Sequence, residues 1–221
     1  MLQTRYFFFD EFKRFLPIFR QYRHEIVSFK KGELLKKPSD LFKYNFYITE
    51  GLCKVSVLHA SGDEKIIAYW GKGSIYPIIC SEQSFILENS IVVTAMTDVE
   101  TMRYDTETTK AMMREHPEIS YEMIDHYCKF TNLLFFCTAT QTYEDVKTRI
   151  CNMLFIYYCN FNENCFALTQ GELASMIGAK RESVVKIIRE LRDNGIISTT
   201  RHHIQILSLE KLEEYRSSLL R

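Results

Sequence analysis

The sequence predicts an α+β chain in three parts: an N-terminal antiparallel β-barrel of jelly-roll type, one long helix, and a small C-terminal domain of short helices closed by a β-hairpin. Three observations lead there. From about Ile26 to Tyr104, short apolar runs are punctuated by turn sequences such as Lys31-Gly32-Glu33, Pro38-Ser39-Asp40, Glu50-Gly51, Ser61-Gly62-Asp63 and Gly71-Lys72-Gly73, as in an all-β sandwich or barrel. From Glu118 to Gln141 there is neither Gly nor Pro, which suits one uninterrupted helix. Beyond Leu168, helical spacing over two short segments gives way to two β-branched runs separated by polar residues.

Length sets the cut. At 221 residues the chain exceeds the usual domain of about 100–150, and the pattern divides it into 1–115, 116–143 and 144–221. Composition excludes several classes of function. The 28 Lys and Arg balance the 28 Asp and Glu, so the chain is not a uniformly basic nucleic-acid coat, and any such affinity must be local. The opening MLQTRYFFFDEFKRFL interrupts its apolar residues with charges, unlike a signal sequence or a membrane span; a cytoplasmic protein is expected. Seven cysteines (Cys53, Cys80, Cys128, Cys137, Cys151, Cys159, Cys165) are scattered without a CxxC pair, against a disulfide framework or a zinc knuckle. Most are expected to be buried as small hydrophobes.

Within the β-rich part, Leu52–His59 and Lys65–Trp70 flank a loop with the Gly and Asp that a hairpin turn needs. In the long helix, Ile124, Tyr127, Thr131, Leu134, Thr138 and Gln141 recur at alternating spacings of three and four. Such a seam suits pairing with a copy of itself; the alternative is a helix lying on its own barrel with Phe130, Phe135 and Phe136 as core. Asp145 stands as N-cap ahead of Val146, Ile150, Leu154 and Tyr157 at helical spacing, so a second helix begins after a bend, the candidate hinge.

The segment Leu168–Ile197 carries the most information. Thr169 followed by Glu172 forms a capping box, and Leu173 and Ile177 face one side of the short helix it starts. Ala174 admits a close crossing, and Gly178 supplies the positive φ of a tight turn. The next helix begins near Lys180, with Val184, Ile187, Ile188 and Leu191 as an apolar stripe and Arg181, Glu182, Val185, Lys186 and Arg189 on the opposite face. This arrangement meets the steric requirements of a helix-turn-helix. From Lys180 to Arg201, six basic residues face three acidic ones, an electrostatic footprint for phosphates. After the Asn194-Gly195 cap, Ile196-Ile197 and Ile204–Leu207 read as two strands around Ser198–His203, a wing whose Thr199, Thr200 and Arg201 can reach phosphates. His202 and His203 are given no role. Thr169, Gln170, Lys180, Arg181, Glu182, Ser183, Lys186, Arg189 and Arg201 are the candidate DNA-contacting residues.

In this order of parts, and above all through Gly178-Ala179-Lys180-Arg181-Glu182-Ser183-Val184-Val185-Lys186, the chain resembles the CRP/FNR family of transcription regulators. The family implies a cyclic-nucleotide-binding-like β-barrel, a long dimerisation helix and a C-terminal winged helix-turn-helix. By resemblance, Arg181, Glu182 and Lys186 contact base edges. Arg181 or Lys186 would donate to guanine and Glu182 accept from cytosine, on palindromic half-sites that contain a G·C pair and are centred about one helical turn apart. Lys186 stands where the family usually has Arg, and lacks its bidentate fork.

The sensor resembles the family through Lys31-Gly32-Glu33-Leu34-Leu35, Tyr47-Ile48-Thr49-Glu50-Gly51 and Gly73-Ser74-Ile75. Where cyclic-nucleotide binders carry a Glu and an Arg-Ser pair, this chain has Ile78, Asn89 and Ser90, with Glu88 adjacent. Where cyclic-AMP receptors meet the adenine it has Leu134 and Phe135. A cyclic nucleotide is therefore not expected, nor an iron-sulfur cluster, since the first cysteine is Cys53. Haem ligation by Cys80 or His59 is the weaker alternative. Ile91-Val92-Val93-Thr94-Ala95-Met96 and Arg149–Tyr157 are similar to the halorespiration branch. That likeness implies a small aromatic acid in an apolar pocket of Tyr76, Ile78, Leu134 and Phe135 with Lys129 as cationic anchor; Asn89 and Ser90 complete the effector set. The expected partners are double-stranded DNA, a second copy of the chain, RNA polymerase and an unidentified small effector. No cofactor, metal or membrane is expected. A thiol switch at Cys128, Cys137, Cys159 or Cys165 is the competing mode of control. Enzymatic activity is not expected, because no nucleophile-base pair, phosphate-binding Gly loop or HExxH occurs.

Overall fold

The structure, a computed structural model, describes residues 4–78, 90–161, 163–200 and 203–220. The chain divides into two compact units, one spanning Phe7–Cys128 and the other built from residues 4–6 with 129–220.

The first unit is a pair of β-sheets with a short helix near its N-terminal end and longer ones at its C-terminal end. One sheet has the order β1-β6-β5-β8-β3, from Phe7–Phe8, Glu64–Gly71, Leu52–Leu58, Ile91–Ala95 and Leu34–Lys36. The other runs β2-β9-β4-β7, from Glu25–Phe29, Val99–Asp105, Tyr44–Glu50 and Ile75–Tyr76. Neighbours are antiparallel except β1 on β6. The expected hairpin is β5 with β6, Cys53 opposite Trp70 and Leu58 opposite Glu64. At the β4–β5 corner Gly51 has φ +92°, and a Cβ there would lie 2.3 Å from the Asp98 carbonyl oxygen; only glycine turns the chain so close to that backbone.

Three elements here have no counterpart in the expectation. Strand β1 is two residues long and aromatic, and its signal is lost in the run Tyr6–Phe9. The short helix α1 is Leu16–Phe19, and α2 is Thr106–Glu115. Helix α2 is set by Asp105, whose carboxylate accepts from the Thr108 amide at 2.7 Å and is held below the usual carboxylate range by that bond. It ends at His116 because Pro117 opens the next helix, α3 (Pro117–Tyr143), at the position where a missing N–H costs nothing. Phe12, Phe19, Tyr47, Ile75, Met102, Met112, Ile119 and Met123 form a core that joins the N-terminal segment, the second sheet and these helices.

Helix α3 has two unlike faces. Ile119, Met123, His126, Leu133, Phe136 and Thr140 are buried, while Ile124, Tyr127, Thr131, Leu134, Thr138 and Gln141 are all exposed. Phe135 is not core as the alternative had it: it is 71% exposed, because adjacent helix residues point about 100° apart and Phe136 takes the buried face.

In the second unit, α4 (Val146–Phe161) begins as expected, with Asp145 accepting from the Thr148 amide at 2.7 Å. It packs against α5 (Gln170–Ile177), α6 (Arg181–Asp193) and α7 (Leu209–Glu214), burying Ile150, Leu154, Leu173, Ile177, Val184, Ile188 and Leu191. The sheet is β10-β12-β11, from Cys165–Phe166, Ile204–Ile206 and Ile197–Thr199. The third strand, β10, is unforeseen, and Ile196 and Leu207 fall outside the strands. The expectation of mostly buried cysteines is overturned: of the six described, Cys53 and Cys151 are buried, Cys137 and Cys159 are intermediate, and Cys128 and Cys165 are exposed. Cys128 is open because it lies on the outward face of α3, and Cys165 because the one buried side chain of β10 is Phe166.

Candidate nucleic-acid interface

The helix-turn-helix is built by local chemistry. Thr169 Oγ1 accepts from the Glu172 amide at 3.1 Å while the Glu172 carboxylate accepts from the Thr169 amide at 2.9 Å, so the start of α5 is fixed from both sides. At its end Gly178 adopts φ +64°, ψ +49°, a left-handed conformation that costs an L side chain about 1 kcal/mol. Lys180 is the extended N-cap of α6.

Val184, Ile188 and Leu191 are fully buried and hold α6 against the domain, with Ile187 intermediate. The opposite face presents Arg181, Glu182, Lys186 and Arg189, all exposed, with Ser183 and Val185 at its margin. Among the described residues no ion pair or hydrogen bond ties these four charged side chains to the rest of the chain. Their helix neighbours differ: Glu190 accepts from Lys147 at 2.8 Å, and Arg192 pairs with Asp193 at 3.0 Å. The charge on one side of α6 is thus spent on the fold, while on the other it is left for something outside it.

Thr169 and Gln170 sit at the start of α5, exposed and half-buried, and Lys180 is exposed at the turn. The strands of the wing are present, and Thr200 donates its amide to the His203 carbonyl at 2.9 Å across it; Arg201 and His202 lie outside the described residues. Arg149 was missed as a site residue. From α4 its guanidinium donates to the Ile177 carbonyl oxygen at 2.8 Å, which anchors the last turn of α5 beside Gly178. Periodicity places Arg149 on α4 but does not say which carbonyl it meets.

The expected effector residues are distributed over both units. The Tyr76 ring is tilted against Trp70 with centroids 4.4 Å apart, Ile78 belongs to the core of the first unit, Ser90 is half-buried, and Lys129 is intermediate on α3. Leu134 and Phe135 are 39% and 71% exposed. Asn89, with Glu88 and Cys80, lies outside the described residues. His59 is occupied in the hairpin turn, its Nδ1 2.8 Å from Ser61 Oγ.

An α-helix carrying such an unengaged polar face fits a major groove about 12 Å wide, and in the second unit it is followed by a β-hairpin wing. The second unit is thus a winged helix-turn-helix. Residues 148–215 match the family described as a Crp-like helix-turn-helix domain. A global nitrogen regulator of Synechocystis sp. is 20% identical over 201 residues, which cover 86% of this chain and 89% of that one. Among solved structures, a CooA mutant from Carboxydothermus hydrogenoformans superposes with a TM-score of 0.74 at 19% identity, over 90% of this chain and 89% of the other. An OCPA-complexed CprK gives 0.72 at 18%, over 91% and 92%. No helix among the described residues is long and apolar enough to cross a membrane.

Proposed function

We propose that the chain acts as a homodimer on a palindromic operator, with α6 of each copy in a major groove and DNA affinity gated by a small effector, not a cyclic nucleotide, held in the β-sheet unit. The observation that carries this reading is the row Arg181, Glu182, Lys186 and Arg189, solvent-facing and unengaged within the chain. Arg181 and Lys186 supply donors for guanine and Glu182 an acceptor for cytosine N4; Lys180, Arg201, Ser183 and the Thr169-Gln170 end of α5 supply phosphate contacts. The outward seam of α3, apolar at Ile124, Tyr127 and Leu134, supports the dimer. Ile78 in place of a ribose-binding carboxylate supports the exclusion of cyclic nucleotides. In this reading RNA polymerase is the protein partner at the promoter, and the bend at Asp145 carries the change from effector to recognition helix.

Selection of random duplex DNA with the purified protein tests it. A G·C-containing palindrome with half-sites about 10 base pairs apart, relaxed at one position by Glu182→Ala, is expected. Enrichment of a site that Glu182→Ala and Lys186→Ala leave unaltered would refute the assignment of α6 as the reading helix.

A further inference from the structure

Within the second unit, one charge pair joins the helix after the bend to α6. Lys147, in the first turn of α4, donates from its ammonium to the Glu190 carboxylate at 2.8 Å. The Lys147 side chain is 17% exposed and that of Glu190 43%, so the pair lies at the rim of the α4–α6 contact and is partly shielded from water. The ammonium is held from a second side: it stands 3.6 Å from the centroid of the ring of Tyr215, the residue that ends α7. A cation–π contact of this kind confines a long side chain that would otherwise sample many rotamers.

Glu190 is close in register to the outward row of α6. It follows Lys186 by four residues, and side chains so spaced are neighbours on a helix surface. Lys186 therefore has an acid one turn away on either side. Glu182, before it, is exposed and unengaged, and with the helix in a groove it is itself taken up by a base. Glu190, after it, is engaged by Lys147.

We propose that Lys147 is a positioning residue for operator reading: by holding Glu190 against α4 it keeps that carboxylate off Lys186, whose ammonium stays available to a base edge. The inference rests on the reading of α6 as the helix that enters the groove, and adds to it a residue that touches no DNA. Lysine at position 186 gives the arrangement its leverage. Its ammonium is a compact point charge without the fork with which Arg meets two acceptors at once, so a carboxylate that occupies it takes it from the base. An (i, i+4) ion pair on an exposed face shifts occupancy about 1.5- to 2-fold, and with two copies on one operator the effect is about two- to fourfold. Loss of a positive charge by itself lowers affinity for all sequences alike, whereas loss of the Lys186 contact alters discrimination at one base pair.

Full-length protein carrying Lys147→Met, alone and combined with Glu190→Gln, is compared with the unaltered chain in two ways. The first contains no DNA: trace acetylation by succinimidyl acetate is read by mass spectrometry at Lys186, with the exposed Lys211 as internal reference. Lys186 should be labelled about 1.5- to 2-fold more slowly in Lys147→Met and at the original rate in the double variant. The second titrates duplexes that differ at the base pair relaxed by Lys186→Ala. Discrimination there should fall about two- to fourfold in Lys147→Met and return in the double variant. Lys147→Gln takes the place of Lys147→Met if circular dichroism shows that the latter does not fold. A pair that merely clamps α4 to α6 predicts no such return, because Glu190→Gln breaks the clamp as well. Unchanged labelling of Lys186, a loss uniform over all sequences, or no recovery in the double variant would overturn the proposal. Discrimination lost with Lys186→Ala but kept with Lys147→Met refutes this inference alone; an unaltered chain that enriches no site, or a site indifferent to Lys186→Ala, refutes the reading of α6 and the inference with it.

Discussion

On α6 the side chains divide by what they touch: some face solvent unengaged, and others pair within the fold. Arg181 and Lys186 are exposed donors and Glu182 an exposed acceptor on one face of α6, while Lys147 and Glu190, one turn away, pair within the fold. Loss of Lys186 by Lys186→Ala is expected to weaken the selected operator by about 1–3 kcal/mol and relax one base position, measured by titrating fluorescent duplexes that differ at single base pairs. Asp105 tests the opposite category. Its carboxyl is depressed by the bond from the Thr108 amide, so its contribution is present above the unfolded value of about 3.9 and lost as pH falls through the folded one. Asp105→Ala should cost about 1 kcal/mol at pH 7, and that difference should shrink as urea titrations move below pH 4. At this scale the sequence was informative where a residue acts on its own neighbours: the capping box at Thr169 and Glu172, the N-cap at Asp145 and the turn at Gly178 all formed as read. The partners of Arg149 and Lys147 were illegible, because each is brought up by folding, from 28 and 43 residues away.

Among the elements, α3 shows how one periodicity supports two surfaces. Spacings of three and four predicted a seam, and the residues so spaced are exposed. A second seam of Ile119, Met123, His126, Leu133 and Phe136 is buried, which is why apolar residues occur all round this helix. If the proposed dimer forms through this face, Leu134→Glu is expected to give monomers in sedimentation while leaving the melting of the β-sheet unit unchanged. Cys128 supplies a second readout. It lies among the exposed residues of α3, whereas Cys165 is exposed in β10. In a concentration series with iodoacetamide, Cys128 should become protected as the dimer forms while Cys165 stays reactive. Cys53 and Cys151, their thiols buried and pushed up to about 12, should stay unmodified throughout. Equal labelling of Cys128 at all concentrations would argue that the outward face of α3 is not the dimer contact.

For the whole molecule, neutrality overall and a local basic excess near α6 imply binding that is strong only where the charge is placed. Affinity for the selected operator should fall linearly in log–log plots against salt, and Lys180→Ala should lower the slope by about one per copy without changing base preference. The sequence by itself determined the order of the parts, the hairpin of β5 and β6, the helix-turn-helix and the exposed polar face of α6. These depend on contacts within a few residues, on periodicity and on turn chemistry, all of which are written along the chain. It did not determine the parallel pairing of Phe7–Phe8 on Tyr69–Trp70, the third wing strand at Cys165–Phe166, or the exposure of Phe135 and Cys128. Nor did it reveal the pairing of Lys147 with Glu190. Those were decided by tertiary structure, because strand and ion-pair partners come from segments tens of residues apart, and burial depends on what each face of an element meets once the chain has closed.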